Sequence, residues 1–586
     1  MDCRLVGLGD DTFEQLPAFS PGPAQGGEDK VVRLACGATA ALCLFGDPGS
    51  ASIYQWGTSI YGELLGAHTD ALTEDNNIEH GVNSKVSKMG RTAHDGRPFS
   101  SKRPKRVQSA SLLPPLSLSG GAANIRCLAF GAHFVLAAFS GGGVMTWGGT
   151  GNRCWVQGQG QCGACRWCCV DRLTPEVHRT PENLENPDRS PSCSPRWLSG
   201  CLGKGGLSVA SVAAGDDHAV AVAGDGQCVW AWGRGNCGQL GVGDMSNVNA
   251  HWQGSCFPLK VELPPPGKGC QDQASKLAVI AAAACGRDHT ALLDAGGRVL
   301  TFGSGLHGQL GIGTVGERVW TPTVVDALEG VGTMRPDGTF TGISSIACGA
   351  WHTAALSTTG DLYTWGWARF GALGHDSPRF SVPNPAPAIP ASDARPMGGG
   401  GYPSVAMTAT QEVEAGVGTD KGAGSGGDPG PEVVPYPGLA QGLDSLRAQG
   451  LAERDDNRLT WVGCGARYTL VLSGDGRAYV LGQVSPRGCP LTTGGGAGPA
   501  GGMRAGWHGG MGPGRAPRAS PLFEVDLQNL ACQDLMRGEG GGVPARGKRD
   551  WRVLSAGCGP WYIVLCITGR EGGERRGCNV PADPCA

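Results

Sequence analysis

At 586 residues, with 48 basic against 51 acidic side chains and a formal net charge of -3, the chain has no global charge to draw it onto nucleic acid, chromatin or an anionic membrane. It holds no run of about eighteen uninterrupted apolar residues, and its start, Met1 to Gly7, lacks the apolar stretch of a secretory signal. Membrane insertion is therefore not expected, the protein reads as intracellular, in cytoplasm or nucleus, and its 24 cysteines read as free thiols rather than a disulfide framework.

Glycine at 101 and proline at 40 would suggest low complexity unless the glycines recur at a fixed period, and they do. In chain order, short apolar strands close on Gly37, Gly131, Gly215, Gly286, Gly349, Gly465 and Gly559, and a second strand begins three residues after each. Six copies continue into a third strand ending in a large apolar residue and glycine: Trp56-Gly57, Trp147-Gly148, Trp232-Gly233, Phe302-Gly303, Trp365-Gly366 and Leu481-Gly482. The two glycines are 17 or 18 residues apart in five copies and 20 in one, so the second and third strands form a tightly specified hairpin. Turn residues such as Gly224-Asp225-Gly226 and Gly474-Asp475-Gly476 supply the backbone freedom it needs. The seventh copy has no third strand downstream. Leu5-Val6-Gly7-Leu8-Gly9, followed by Phe13 to Leu16, supplies it from the other end of the chain, with Leu8 in the place of the tryptophans.

These halves predict an all-β fold, a seven-bladed β-propeller over 1–568 closed by strands from both termini. Gly, Pro and Ser-rich stretches at about 66–103, 153–207, 245–275, 378–455 and 484–547 read as inter-blade insertions, loops or disorder, and 569–586 as a disordered tail.

The motifs inside the repeat are specific. Ala284-Cys285-Gly286-Arg287-Asp288-His289-Thr290-Ala291-Leu292, with Val299 to Gly303 and Gly308-Gln309-Leu310-Gly311, closely resembles the regulator of chromosome condensation repeat. So do Ala347 to Leu356 with Tyr363 to Gly374, and Ala213 to Val222 with Trp230 to Gly241. Outer strands of that family begin at a proline, matched by Pro104-Lys105-Arg106-Val107 and Pro322-Thr323-Val324-Val325. Other copies depart from the pattern: the histidine position holds His218, His289 and His352 but Ala40, Phe134, Tyr468 and Tyr562 elsewhere.

Several patterns invite a chemical reading and fail it. Gly233 to Gly238 and Gly303 to Gly308 fit G-x-G-x-x-G, but Gln-Leu-Gly follows where a dinucleotide site needs a helix. Cys162, Cys165, Cys168 and Cys169 have metal-like spacing, yet Cys162 stands where the repeat has leucine, so no metal is expected. One histidine per blade is not a general base; a buried histidine bonding neighbouring strands fits better. Trp56, Trp147, Trp232 and Trp365 read as core, since Phe302 and Leu481 replace them. Lys102-Arg103-Pro104-Lys105-Arg106 resembles a short nuclear import signal but fits an outer strand better. No catalytic residue or cofactor is expected, and the chain does not read as an enzyme.

The resemblance implies a protein-binding propeller that acts as a guanine-nucleotide exchange factor or regulator of a small GTPase; the other reading is a scaffold without exchange activity. Aspartates beside repeat glycines lie on the GTPase-facing side of the founding exchange factor. Gly215-Asp216-Asp217-His218 and Gly286-Arg287-Asp288-His289 match that turn, making Asp216, Asp217 and Asp288 the candidate contacts. The family's ultraviolet-B-sensing branch carries tryptophan immediately after the repeat glycine, where this chain has Ala38, Ala132, Asp216, Arg287, Ala350, Ala466 and Pro560. Size-exclusion chromatography under ultraviolet-B illumination is accordingly expected to show an unchanged elution volume.

Overall fold

The computed structural model describes residues 2–10, 12, 16–17, 31–45, 52–59, 63–64, 99–107, 125–139, 142–148, 196–197, 209–244, 254–265, 278–336, 340–368, 370–375, 433–440, 458–484, 523–531 and 550–570. Seven antiparallel sheets account for most of them, six of four strands and one of three. The first blade runs Val31–Cys36, Ala40–Phe45, Ser52–Ser59, Phe99–Arg106, and the second Ile125–Phe130, Phe134–Phe139, Val144–Gly148, Arg196–Trp197. The third runs Val209–Ala214, His218–Ala223, Val229–Arg234, Gly254–Lys260, and the fourth Ile280–Cys285, His289–Asp294, Val299–Ser304, Arg318–Val324. The fifth runs Ile343–Cys348, His352–Ser357, Leu362–Trp367, Val433–Leu439, and the sixth Leu459–Cys464, Tyr468–Ser473, Ala478–Gly482, Phe523–Glu524. The seventh joins Asp550–Cys558 and Tyr562–Arg570 to the N-terminal Asp2–Gly9.

The first strand of every blade touches the first strands of both neighbours, the first blade against the seventh included, so the ring is closed. Closure uses the register the repeat implies: Leu8 lies opposite Ile563 as Trp232 lies opposite Ala219. Five outer strands, those with Phe99, Arg196, Gly254, Val433 and Phe523 at their start, come wholly or partly from stretches read as insertions. They carry little periodic apolar signal because an edge strand buries one side at most. Lys105 and Arg106 of the basic run pair with Gln55 and Tyr54 in such an edge. The metal-spaced cysteines and the tail beyond 570 lie outside the described residues.

The apolar core is divided by junction, not by blade. Seven of its clusters each mix side chains of two adjacent blades, for example Val220, Val222 and Leu240 of the third with Leu292, Leu300 and Phe302 of the fourth. Second strands lie between two strands of their own sheet and under neighbouring blades on both faces. Ala40–Phe45, His218–Ala223 and Tyr468–Ser473 are therefore buried at every residue instead of alternating. Trp56, Trp147, Trp232 and Trp365 are core, none more than 2% exposed.

The residue three after the repeat glycine closes five of the seven junctions, by reaching out of its own sheet. His218 Nε2 meets Thr290 Oγ1 of the fourth blade at 2.9 Å, His289 meets Thr353 of the fifth at 3.0 Å, and His352 meets Thr469 of the sixth at 3.1 Å. Each threonine hydroxyl donates back to a turn carbonyl of the preceding blade, at Gln239, Gln309 or Ala372. With its hydrogen committed there, the threonine accepts from the imidazole, which fixes a neutral ring protonated on Nε2. Tyr468 reaches the Gly559 and Tyr562 carbonyls of the seventh blade at 2.8 and 2.6 Å, and Tyr562 donates to the Ala40 carbonyl of the first at 3.0 Å.

This ring position also explains the repeat glycine. The rings of Phe134, His218, His289, His352, Tyr468 and Tyr562 fold over Gly131, Gly215, Gly286, Gly349, Gly465 and Gly559, where a Cβ would overlap them. Gly37 precedes Ala40, which has no ring, and Phe130 of the second blade fills the space over it instead. Phe130 thus stands where five other blades carry cysteine because it compensates for Ala40.

Two outcomes follow from closure and from the latches. Deleting residues 2–9 removes the strand bonded along Tyr562–Gly569 and exposes surface that buries Leu5 and Val6. A loss of roughly 3–6 kcal/mol is expected, read as a lower melting temperature with aggregation. Burial lowers His218 and His289 to about 3 and His352 to about 4, from 6.5. The unfolded chain therefore binds more protons below about pH 6.5, and stability is complete above that pH and falls with acidification, by up to about 1.4 kcal/mol per unit for each histidine. Urea melts between about pH 7 and pH 4.5 are expected to show this slope, and His289→Gln, which keeps a donor but removes the titrating site, to make it shallower.

Candidate functional site

The turns between first and second strands gather at one end of the propeller, with the ends of the third strands beside them. Their two residues after each repeat glycine form a rim, and its composition changes around the ring. The third and fourth blades contribute Asp216, Asp217, Arg287 and Asp288; the fifth to seventh contribute Ala350, Trp351, Ala466, Arg467, Pro560 and Trp561.

In the first sector the three candidate aspartates are brought together by two guanidinium groups. Arg287 Nε lies 3.5 Å from Asp216 Oδ2 and 3.8 Å from Asp288 Oδ2, and Arg234 Nη1 lies 3.5 Å from Asp217 Oδ2. Gln239 Nε2 donates to Asp288 Oδ1 at 3.5 Å. Arg234 is placed by Gly233, whose φ of 103° lets the third strand turn against the backbone of Asp217 and His218; the Arg234 amide bonds the Asp217 carbonyl at 2.8 Å. Loss of water in the crowded turn raises the Asp216 carboxyl above its usual range; Arg287 opposes the rise, and Asp288 and Asp217 add to it. The Asp216 side chain keeps 47% of its surface open to solvent. Asp288 is raised in the same way, against Arg234 and Arg287.

The second sector is an arc of rings and guanidinium groups. Arg287 stands 5.4 Å over Trp351, which meets Trp367 edge-on at 5.1 Å; His307 stacks on Trp367 at 5.0 Å. Trp367 meets Phe370 at 5.1 Å, and Arg467 lies 3.9 Å over Phe370 and 4.9 Å over Trp561. Burial, with help from Arg287, lowers His307 to about 4, so it stacks as a neutral ring. Trp351, Arg467 and Trp561 occupy the same repeat position in three consecutive blades, a coincidence visible in the sequence once the second residue after each glycine is tabulated. Tryptophan and arginine are the residue types that dominate protein interfaces.

The remaining candidates fall inside the scaffold. His218, His289 and His352 are at most 2% exposed and span the junctions between blades. The thiols before the repeat glycines are raised by burial, Cys348 and Cys558 to about 12, so they stay protonated and unreactive at neutral pH. Among the described residues no group of three His, Cys, Asp or Glu could hold a metal, and no helix is long and apolar enough to cross a membrane.

A closed ring of seven radial antiparallel sheets defines a seven-bladed β-propeller. Family comparison specifies the repeat: the Regulator of chromosome condensation (RCC1) repeat matches residues 226–293 and 296–356, and a second model of it matches 209–239, 280–309 and 343–372. RCC1 repeats thus lie within this seven-bladed propeller, and the matches fall on the three blades that carry the histidine latch. It is similar to the ultraviolet-B receptor UVR8 of Arabidopsis thaliana, 28% identical over 47% of this chain and 54% of the relative. It is also similar to human RCC1 domain-containing protein 1, 32% identical over 34% of this chain and 43% of the relative. The chain thus spans about half or less of the curated relatives it matches. The structure of Prp20p from Saccharomyces cerevisiae superposes with a TM-score of 0.53 at 17% identity, covering 97% of this chain and 92% of that one, a likeness of fold.

Proposed function

We propose that the rim of the turn face binds a small GTPase and promotes release of its guanine nucleotide. The observation that carries this reading is the convergence of Asp216, Asp217 and Asp288, from two blades, into one partly exposed charge network. Prp20p, similar in fold, is described by its binding to Gsp1p and histones, which supports protein partners for a propeller of this kind. The carboxylates already face Arg234 and Arg287, so a partner's basic residues would replace those cations. The replaced pairs are half-exposed at Arg234 and Asp217 and partly exposed at Arg287, worth about 1 kcal/mol each, and give way at modest cost. Once engaged, the carboxylates compete with the nucleotide phosphates for the same positive charge, and release accelerates with no bond made or broken.

The test is release of a fluorescent guanine nucleotide from a panel of GTPases. Stimulation by the full chain is expected with a cognate GTPase, and Asp217→Asn with Asp288→Asn, which keeps the turn geometry, is expected to cut it roughly tenfold, about 1.4 kcal/mol. Unchanged stimulation would remove the aspartates from the mechanism; no stimulation with any GTPase would make the protein a scaffold.

A further inference from the structure

The seven junctions of the ring are not closed alike. Between third and fourth, fourth and fifth, and fifth and sixth blades, a histidine and a threonine bond across the junction. The tyrosines Tyr468 and Tyr562 bond across both junctions of the seventh blade. The ring positions facing the other two junctions are Ala40, from first to second blade, and Phe134, from second to third, neither of which has a side-chain donor. The following residue, threonine in the fourth, fifth and sixth blades, is Val135 in the second and Ala219 in the third. The latch is therefore absent, as chemistry, on both sides of the second blade.

We infer that the second blade is the opening seam of this propeller: the ring parts beside Ile125–Phe130 and Phe134–Phe139 before it parts anywhere else, because both flanking junctions pack through apolar clusters and lack the latch. In a ring assembled from one chain, the blade that joins the two termini is the natural weak point, since no covalent link runs through it. Here that blade carries a tyrosine bond on each side, and the weak point moves to a blade that is continuous in sequence. At the first-to-second junction Trp147 Nε1 donates to the Glu63 carbonyl at 2.8 Å. At the fourth-to-fifth junction the corresponding carbonyl of Gln309 accepts both Trp365 Nε1 and Thr353 Oγ1, so half of that pair is missing beside the second blade. Across the second-to-third junction the Ala132 amide donates to the Asp216 carbonyl at 3.3 Å, and Cys127 Sγ approaches the Val212 carbonyl at 3.9 Å.

Hydrogen exchange followed by mass spectrometry on the full chain tests this directly. Amides of Ile125–Phe130 and Phe134–Phe139 are expected to exchange about tenfold or more faster than those of Ile280–Cys285, His289–Asp294, Ile343–Cys348 and His352–Ser357. Equal protection of the second blade, or first exchange in Asp550–Cys558 and Tyr562–Arg570, would overturn the inference. Tyr562→Phe, which removes one hydroxyl and keeps the ring, is expected to raise exchange in the seventh blade toward that of the second. If protection there does not change, the latches do not set the order of opening. Building the missing latch with Ala40→His, Phe130→Cys and Val135→Thr together is expected to slow exchange in the first and second blades; faster or unchanged exchange in the folded variant counts against the idea. The comparison within the unmodified chain stands whether or not that variant folds.

Discussion

A radial sheet of four short strands cannot bury its own apolar faces, and everything that distinguishes this repeat is a device for sharing them with the next sheet. The apolar clusters are junctions between blades, and the polar side chains buried with them span the same gaps. The imidazole of His218, the hydroxyl of Thr290 and the carbonyl of Gln239 form one unit, each satisfying the next, in a site that excludes water. A buried hydrogen bond of this kind contributes about 0.5–1.5 kcal/mol, but leaving one partner unmet costs more, so the unit holds two blades in one relative position as well as together. The repeat glycine belongs to the same device, since it makes room for the ring that crosses the gap.

Seen as a device with separable parts, the divergence of the repeat makes physical sense. Tyrosine replaces histidine where the partner is a backbone carbonyl rather than a threonine, and its longer reach spans to Gly559 or Ala40. Phenylalanine keeps the ring and drops the bond. Alanine drops both, and Phe130 enters from the neighbouring blade to refill the volume. Copies that look degraded are therefore alternative ways of filling one site, with different polar content.

A scaffold whose defining residues all face inward leaves its rim chemically free to vary. The rim of the third and fourth blades is charged, with carboxylates and guanidinium groups interleaved, and that of the fifth to seventh is aromatic with Arg467 among the rings. The two sectors meet at Arg287, which faces Asp216 and Asp288 on one side and Trp351 on the other. A partner seated on this end would meet charge on one flank and rings on the other, which orients it as well as holds it.

The ring of seven and its closure by both termini were legible in the sequence because each rests on local pattern: a glycine, a strand of six residues, a hairpin of fixed length. Even the register of the closing strand followed, since Leu8 aligns with the tryptophans by spacing alone. The outer strands were not legible, because an edge strand such as Phe523–Glu524 is too short and too little buried to leave a period. The histidines could be read as buried and bonded, but their partners could not: Thr290 lies 72 residues from His218, and Ala40 lies 522 residues from Tyr562. Only the closed ring brings such residues into contact, so the tertiary structure alone decided which junctions are latched, why Phe130 replaces a cysteine, and how Trp351, Trp367, Phe370, Arg467 and Trp561 become one surface.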